Sequence, residues 1–145
     1  MASKEEEEFR RLTMELRYLE QTADAIQSRV NMVNAVIADL TYSTATLEGL
    51  EKEEENADLL VPIGGNSFVK AKLANPDKVI VGVGAGVSLE KTLPEAKEIT
   101  KKRLDDLNKT RLSLQQQFTQ VANKINQDRE MLEAIIAKAR QEKAS

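Results

Sequence analysis

Gly82, Gly84 and Gly86 stand at alternate positions of VIVGVGAGVSLEKT, residues 79–92, the one glycine-dense stretch of the chain. Glycines at this density can let a backbone close around a phosphate, so nucleotide binding is the first chemistry to weigh. That chemistry needs G-x-G-x-x-G running directly into a helix, whose N-terminal amides hold the anion. Here the residues after Gly86 are strand-forming, no helix is expected before Thr92, and no G-K-[ST] follows. The spacing describes a hairpin turn instead. Ser67, Lys70, Ser88 and Lys91 are the remaining candidates for a hidden active site. Strand alternation sets them on a strand surface with no base nearby, and no catalytic role is assigned to any residue.

Cysteine and histidine are both absent. Their absence removes disulfides, thiol nucleophiles, the usual soft metal ligands and the side chain most used for proton transfer near neutral pH. No metal, no cofactor and no enzymatic activity are expected. The opening MASKEEEEF is acidic and lacks an apolar signal core. The longest apolar run, Val79 to Val87, is about half of what a bilayer span needs. A cytoplasmic chain without membrane contact is the expectation. Net charge is −3. The densest basic spots, Arg10–Arg11 and Lys101–Lys102–Arg103, are too short for a nucleic-acid footprint.

What must carry function is therefore surface and shape. Apolar residues recur at Phe9, Leu12, Leu16, Leu19, Ala23, Ile26, Val30, Val33, Ile37, Leu40, Thr44 and Leu47, in alternating steps of three and four. A second seam runs Leu104, Leu107, Arg111, Leu114, Phe118, Val121, Ile125, Asp128, Leu132, Ile135 and Ala139. Both are heptad patterns and predict coiled-coil helices, each of roughly 60 Å at about 1.5 Å per residue. Ser3 with Glu6, and Thr92 with Glu95, make capping boxes. The polar seam positions Arg111 and Asp128 either mark a looser, splayed coil or fix its register; looser packing is the expectation carried forward. With aromatics at only 3% and charged residues at 31%, a thick globular core is not expected.

Between the helices lie four β-prone runs, LLVPI (59–63), SFVKAKL (67–73), KVIVGV (78–83) and VSLEK (87–91), separated by GGN, ANPD and GAG. Turn residues between alternating runs predict two β-hairpins. The fold class is α+β: a long antiparallel two-helix coiled coil, residues 1–55 and 93–145, with two central β-hairpins in 56–92. Isolated hairpins are marginal in water and their edges are unpaired. The insert is therefore expected to join an intersubunit β-barrel, with Phe68, Val69, Ile80, Val81, Val83 and Leu89 as barrel core or subunit contacts.

Two coiled-coil helices flanking LVPIGGNSFVKAKL and VIVGVGAGVSLEKTLPEA resemble the alpha subunit of archaeal-type prefoldin. The likeness extends over nearly the whole chain, and two hairpins rather than one match the alpha type. It implies a hexamer of two alpha and four prefoldin beta subunits. In such a hexamer the hairpins build a double barrel and the coils hang as tentacles. It further implies an ATP-independent chaperone that captures unfolded client proteins at the tentacle tips and delivers them to a group II chaperonin. A filament-forming or purely structural scaffold is the alternative within the same family. Client-binding candidates at the tips are Phe9, Leu12, Met14, Tyr18, Met131, Leu132, Ile135 and Ile136. Leu16 is expected to close the coil. Flexible, polarizable Met suits adaptable binding.

Overall fold

A computed structural model describes residues 3–144 as two helices and four strands. The order is α1 (Lys4–Leu50), β1 (Asp58–Gly64), β2 (Ser67–Lys72), β3 (Lys78–Gly84), β4 (Val87–Thr92) and α2 (Leu93–Ala144). The expected α+β class, two long helices with two antiparallel hairpins, is the one observed. Helix α1 begins where Ser3 Oγ accepts the Glu6 amide at 3.1 Å. Glu5, Glu6 and Glu7 then occupy the first turn, where the helix dipole favours anions. Helix α2 opens on a complete capping box. Thr92 Oγ1 accepts the Glu95 amide and the Glu95 carboxylate accepts the Thr92 amide, both at 3.3 Å. Pro94 falls inside that first turn, where its missing N–H breaks no helical bond.

The chain divides into two compact units, residues 3–34 with 109–144 and residues 35–108. In the first, Ile26, Val30 and Leu114 form a buried cluster flanked by Val33, Phe118 and Val121. All six are seam positions, so the heptad pattern does bring the two helices together here. In the second unit, Leu47, Leu93 and Ala96 are buried, with Leu50 and the strand residues Val79 and Val81 packed against them. The α2 seam thus starts well before Leu104, through buried Leu93, Ala96 and Thr100. A proline and a threonine interrupt the apolar run in that turn and hide it from a periodicity reading.

The two polar seam positions are not splayed. Arg111 is half-buried and its Nη1 donates to Asn34 Oδ1 of α1 at 3.3 Å. Asp128 is fully enclosed, with 0% relative exposure. A charge at a seam position reads as a solvated break, yet here the flanking helix closes over it.

Each hairpin is a separate two-stranded sheet, β1–β2 and β3–β4. They use the same turn. Gly65 and Asn66 (φ 56° and 59°) close the first; Ala85 and Gly86 (φ 53° and 74°) close the second. Two consecutive positive φ values give the type I′ geometry that matches the twist of paired strands. Each turn is preceded by a glycine at larger φ, Gly64 at 98° and Gly84 at 112°, next to a register shift. The glycine-dense stretch is a bulge and a turn. Gly82 pairs within the ladder opposite Ser88.

Candidate functional site: coil ends and hairpin faces

Within the first unit, the start of α1 and the end of α2 enclose an open groove of about 720 Å³. Its apolar lining comes from Phe9, Met14, Ile135, Ile136 and Ala139. Phe9 and Met14 flank the groove from α1, and Ile135, Ile136 and Ala139 flank it from α2. Charged side chains line it as well: Glu5, Glu6 and Arg10 from α1, and Arg140, Glu142 and Lys143 from α2. An ion pair between Lys138 and Glu5 ties the two ends together. That hydrogen-bonded carboxylate, with Glu142 nearby, raises the Lys138 ammonium above its ordinary value.

The tip candidates separate into three groups. Phe9, Met14, Ile135 and Ile136 share the groove, with Phe9 40% exposed and Met14 68% exposed. Tyr18 and Met131 are exposed but lie outside it, Tyr18 one turn beyond Met14 on the same helix face. Leu132 is half-buried, and Leu12 is 1% exposed, sealed in the closed seam. Arg10 and Arg140 of the lining were not read from sequence as site residues, because an arginine on one helix carries no signal of what its neighbour helix leaves open.

The hairpins present a different surface. On β1–β2 the pairs Val61↔Val69 and Leu59↔Ala71 make one apolar face. Leu60, Pro62 and Phe68 lie on the other face, beside Lys70 and a 3.0 Å Lys72–Asp58 pair. Val61, Ile63, Phe68 and Val69 are all exposed. On β3–β4, Val79 and Val81 turn inward, and Arg103 Nη1 of α2 reaches the Gly82 carbonyl at 3.4 Å. Val83, Val87 and Leu89 stay exposed, and Ile80 on the opposite face is 77% exposed. Val81 is therefore committed partly to its own chain, whereas Phe68, Val69, Ile80, Val83 and Leu89 are open. Among the described residues no helix is long and apolar enough to cross a membrane, and no group of three or more acidic, His or Cys side chains could hold a metal ion.

Long seam-packed helices, two hairpins with exposed apolar faces and an apolar groove at the helix ends define a coiled-coil protein with a double-hairpin insert. The family model for prefoldin subunits matches residues 19–138. A prefoldin subunit alpha of Methanococcoides burtonii is 33% identical, over 86% of this chain and 91% of that protein. One from Methanosarcina barkeri is 38% identical, over 75% of this chain and 78% of the relative. In a cryo-EM structure of filamentous prefoldin from Methanocaldococcus jannaschii, a chain superposes with a TM-score of 0.66 at 31% identity. The match covers 77% of this chain and 92% of that one. The chain belongs to the prefoldin family.

Proposed function

We propose that this chain is an alpha-type prefoldin subunit, a non-enzymatic holdase that captures unfolded proteins in the groove at its helix ends. The groove lined by Phe9, Met14, Ile135 and Ile136 is the observation that carries this reading. A holdase needs apolar surface that is open yet kept soluble, and the interspersed Glu5, Glu6, Arg10, Arg140 and Lys143 supply the solubility. Tyr18 and Met131 extend the contact surface, and Leu12 and Leu132 join it where the seam opens. Burying one such side chain is worth about 1.5–3 kcal/mol, so one groove binds weakly and several arms together bind well. The hairpins act as the assembly element. Their open faces, with Phe68, Val69, Ile80, Val83 and Leu89, join those of beta subunits in a shared barrel of two alpha and four beta chains, with Val81 at its inner edge. The complex works in the cytoplasm without ATP and passes its client to a group II chaperonin.

Replacing Phe9, Met14 and Ile136 together by serine tests the site. The assembled complex should keep its size while the concentration needed to suppress aggregation of an unfolded protein rises about tenfold or more. Unchanged suppression would move the client site off the helix ends. A filament is the second reading, favoured by the likeness to a chain of a filamentous prefoldin. Sedimentation of the chain alone and with a beta subunit decides it: a species that grows without limit with concentration is a filament.

A further inference from the structure

Asp128 interrupts the seam about two turns inside the tip groove, and it is enclosed without adequate partners. Neither carboxylate oxygen accepts a well-formed hydrogen bond. Its one counter-charge among the described residues is the Lys124 ammonium, 3.2 Å from Oδ1 and one turn back on the same helix. This approach is short in distance but lies off hydrogen-bond geometry. Lys124 is itself shared, reaching Glu15 of α1 at 3.5 Å, and Arg129 reaches Glu20 at 3.1 Å. These two diagonal pairs strap segment 124–129 to segment 15–20, which holds the seam residues Leu16 and Leu19. The four side chains of these two straps are partly exposed, and such pairs add little to stability.

A buried carboxylate with one borrowed cation costs more in desolvation than it returns, and an apolar side chain of similar size usually packs better. Setting the helix register does not require it. The Ile26–Val30–Leu114 cluster and the Arg111–Asn34 bond already align the two helices. Its position is the informative feature. On the inner side of Asp128 the seam is closed by buried Ile125; on the outer side it runs through sealed Leu12 and half-buried Leu132 and Ile135 to exposed Phe9 and Ile136.

We propose that Asp128 is a positioning residue for client capture: its poorly paired charge keeps the outermost seam close to opening. The helix ends then part to offer Leu12 and Leu132 to an unfolded chain. An all-apolar seam would hold these residues shut. Opening adds Leu12 and Leu132 to the apolar side chains already lining the groove, so the favoured client segment is a long aliphatic one.

The inference rests on the tip-capture reading, and the experiment separates the two. In the assembled complex, Asp128→Leu should raise the thermal midpoint and slow amide exchange in residues 3–12 and 132–144 by about tenfold or more. It should weaken aggregation suppression severalfold even though every groove residue is intact. Asp128→Glu keeps a carboxylate in the seam and should retain both the exchange rate and the suppression. Should Asp128→Leu disturb assembly, Asp128→Asn removes the charge with the same shape and should move exchange and suppression in the same direction. Slowed exchange with wild-type suppression would overturn the proposal, as would unchanged exchange in both neutral variants. The Phe9, Met14 and Ile136 serine variant, run beside them, reports on the capture site itself. If it alone loses suppression, the site stands and the role of Asp128 falls.

Discussion

Ala85 is the residue at which the glycine-rich stretch departs from what its turn prefers. Its φ of 53° lies in the left-handed region, which costs an L-residue with a Cβ roughly 1–2 kcal/mol. The corresponding position of the first hairpin is Gly65, and Asn66 follows it. Asn-Gly is the pair best suited to a type I′ turn, and Ala85→Asn would create it with the existing Gly86. The substitution should raise stability by about 0.5–1 kcal/mol, seen as a higher thermal midpoint. Gly84→Ala should do the reverse, by about 1–2 kcal/mol, through backbone strain alone. No heavy atom lies within 4 Å of a Cβ built at Gly84, so crowding contributes nothing. A midpoint that rises for Gly84→Ala would mean that the turn is not held in this conformation in solution.

At the scale of elements, periodicity explains what could be read and what could not. The hairpins were legible because period-two alternation and turn glycines both survive in a short window, and the central seams because steps of three and four persist over many turns. The beginning of the α2 seam was not legible, since Pro94 and Thr100 break the apolar pattern that Leu93 and Ala96 continue. Asp128 was misread for a deeper reason. Sequence reports the charge of a side chain but not whether a facing helix encloses it. Leu12 shows the converse, apolar and near an end yet sealed at 1% exposure. Which tip residues share the groove depends on where each helix ends relative to its neighbour, and one helix's sequence holds no information on that.

Three ion-paired lysines give the helices a pH signature. Lys138 is raised by its hydrogen bond to Glu5, Lys124 by Asp128 with Glu15 adding, and Lys97 by Glu51, 2.8 Å away. In each case the folded state favours the ammonium. The contribution is complete below the ordinary lysine value of 10.5 and disappears as pH rises through the raised folded value. Helicity and thermal midpoint should therefore hold to about pH 10 and fall above it. A Lys97→Gln, Lys124→Gln and Lys138→Gln variant should start lower at neutral pH and show a shallower alkaline fall. Equal slopes for the two proteins would show that these pairs contribute nothing to the folded state.

For the whole molecule the proposed function assigns assembly and capture to different units. The hairpins and their Leu47–Leu93–Ala96 anchor belong to residues 35–108, and the groove belongs to residues 3–34 with 109–144. Changes in one unit should leave the other's task intact. Val61→Asp with Val69→Asp places two like charges directly opposite each other on the open face of β1–β2. It also opposes burial of that face in any shared barrel. The helices should still form, because their seams do not include these residues, but sedimentation should show the chain failing to enter a larger complex with beta subunits. Suppression of aggregation should then fall too, through loss of multivalency rather than loss of the groove. Isolated arms would still bind a short aliphatic peptide with unchanged affinity, whereas the Phe9, Met14 and Ile136 serine variant would show the opposite pattern, full assembly with the peptide lost. Both interactions are apolar at their centres, so moderate salt should weaken neither, in contrast to binding through exposed charge. Loss of peptide binding in the hairpin variant would place a client contact on the strands and dissolve the division of labour between the two units.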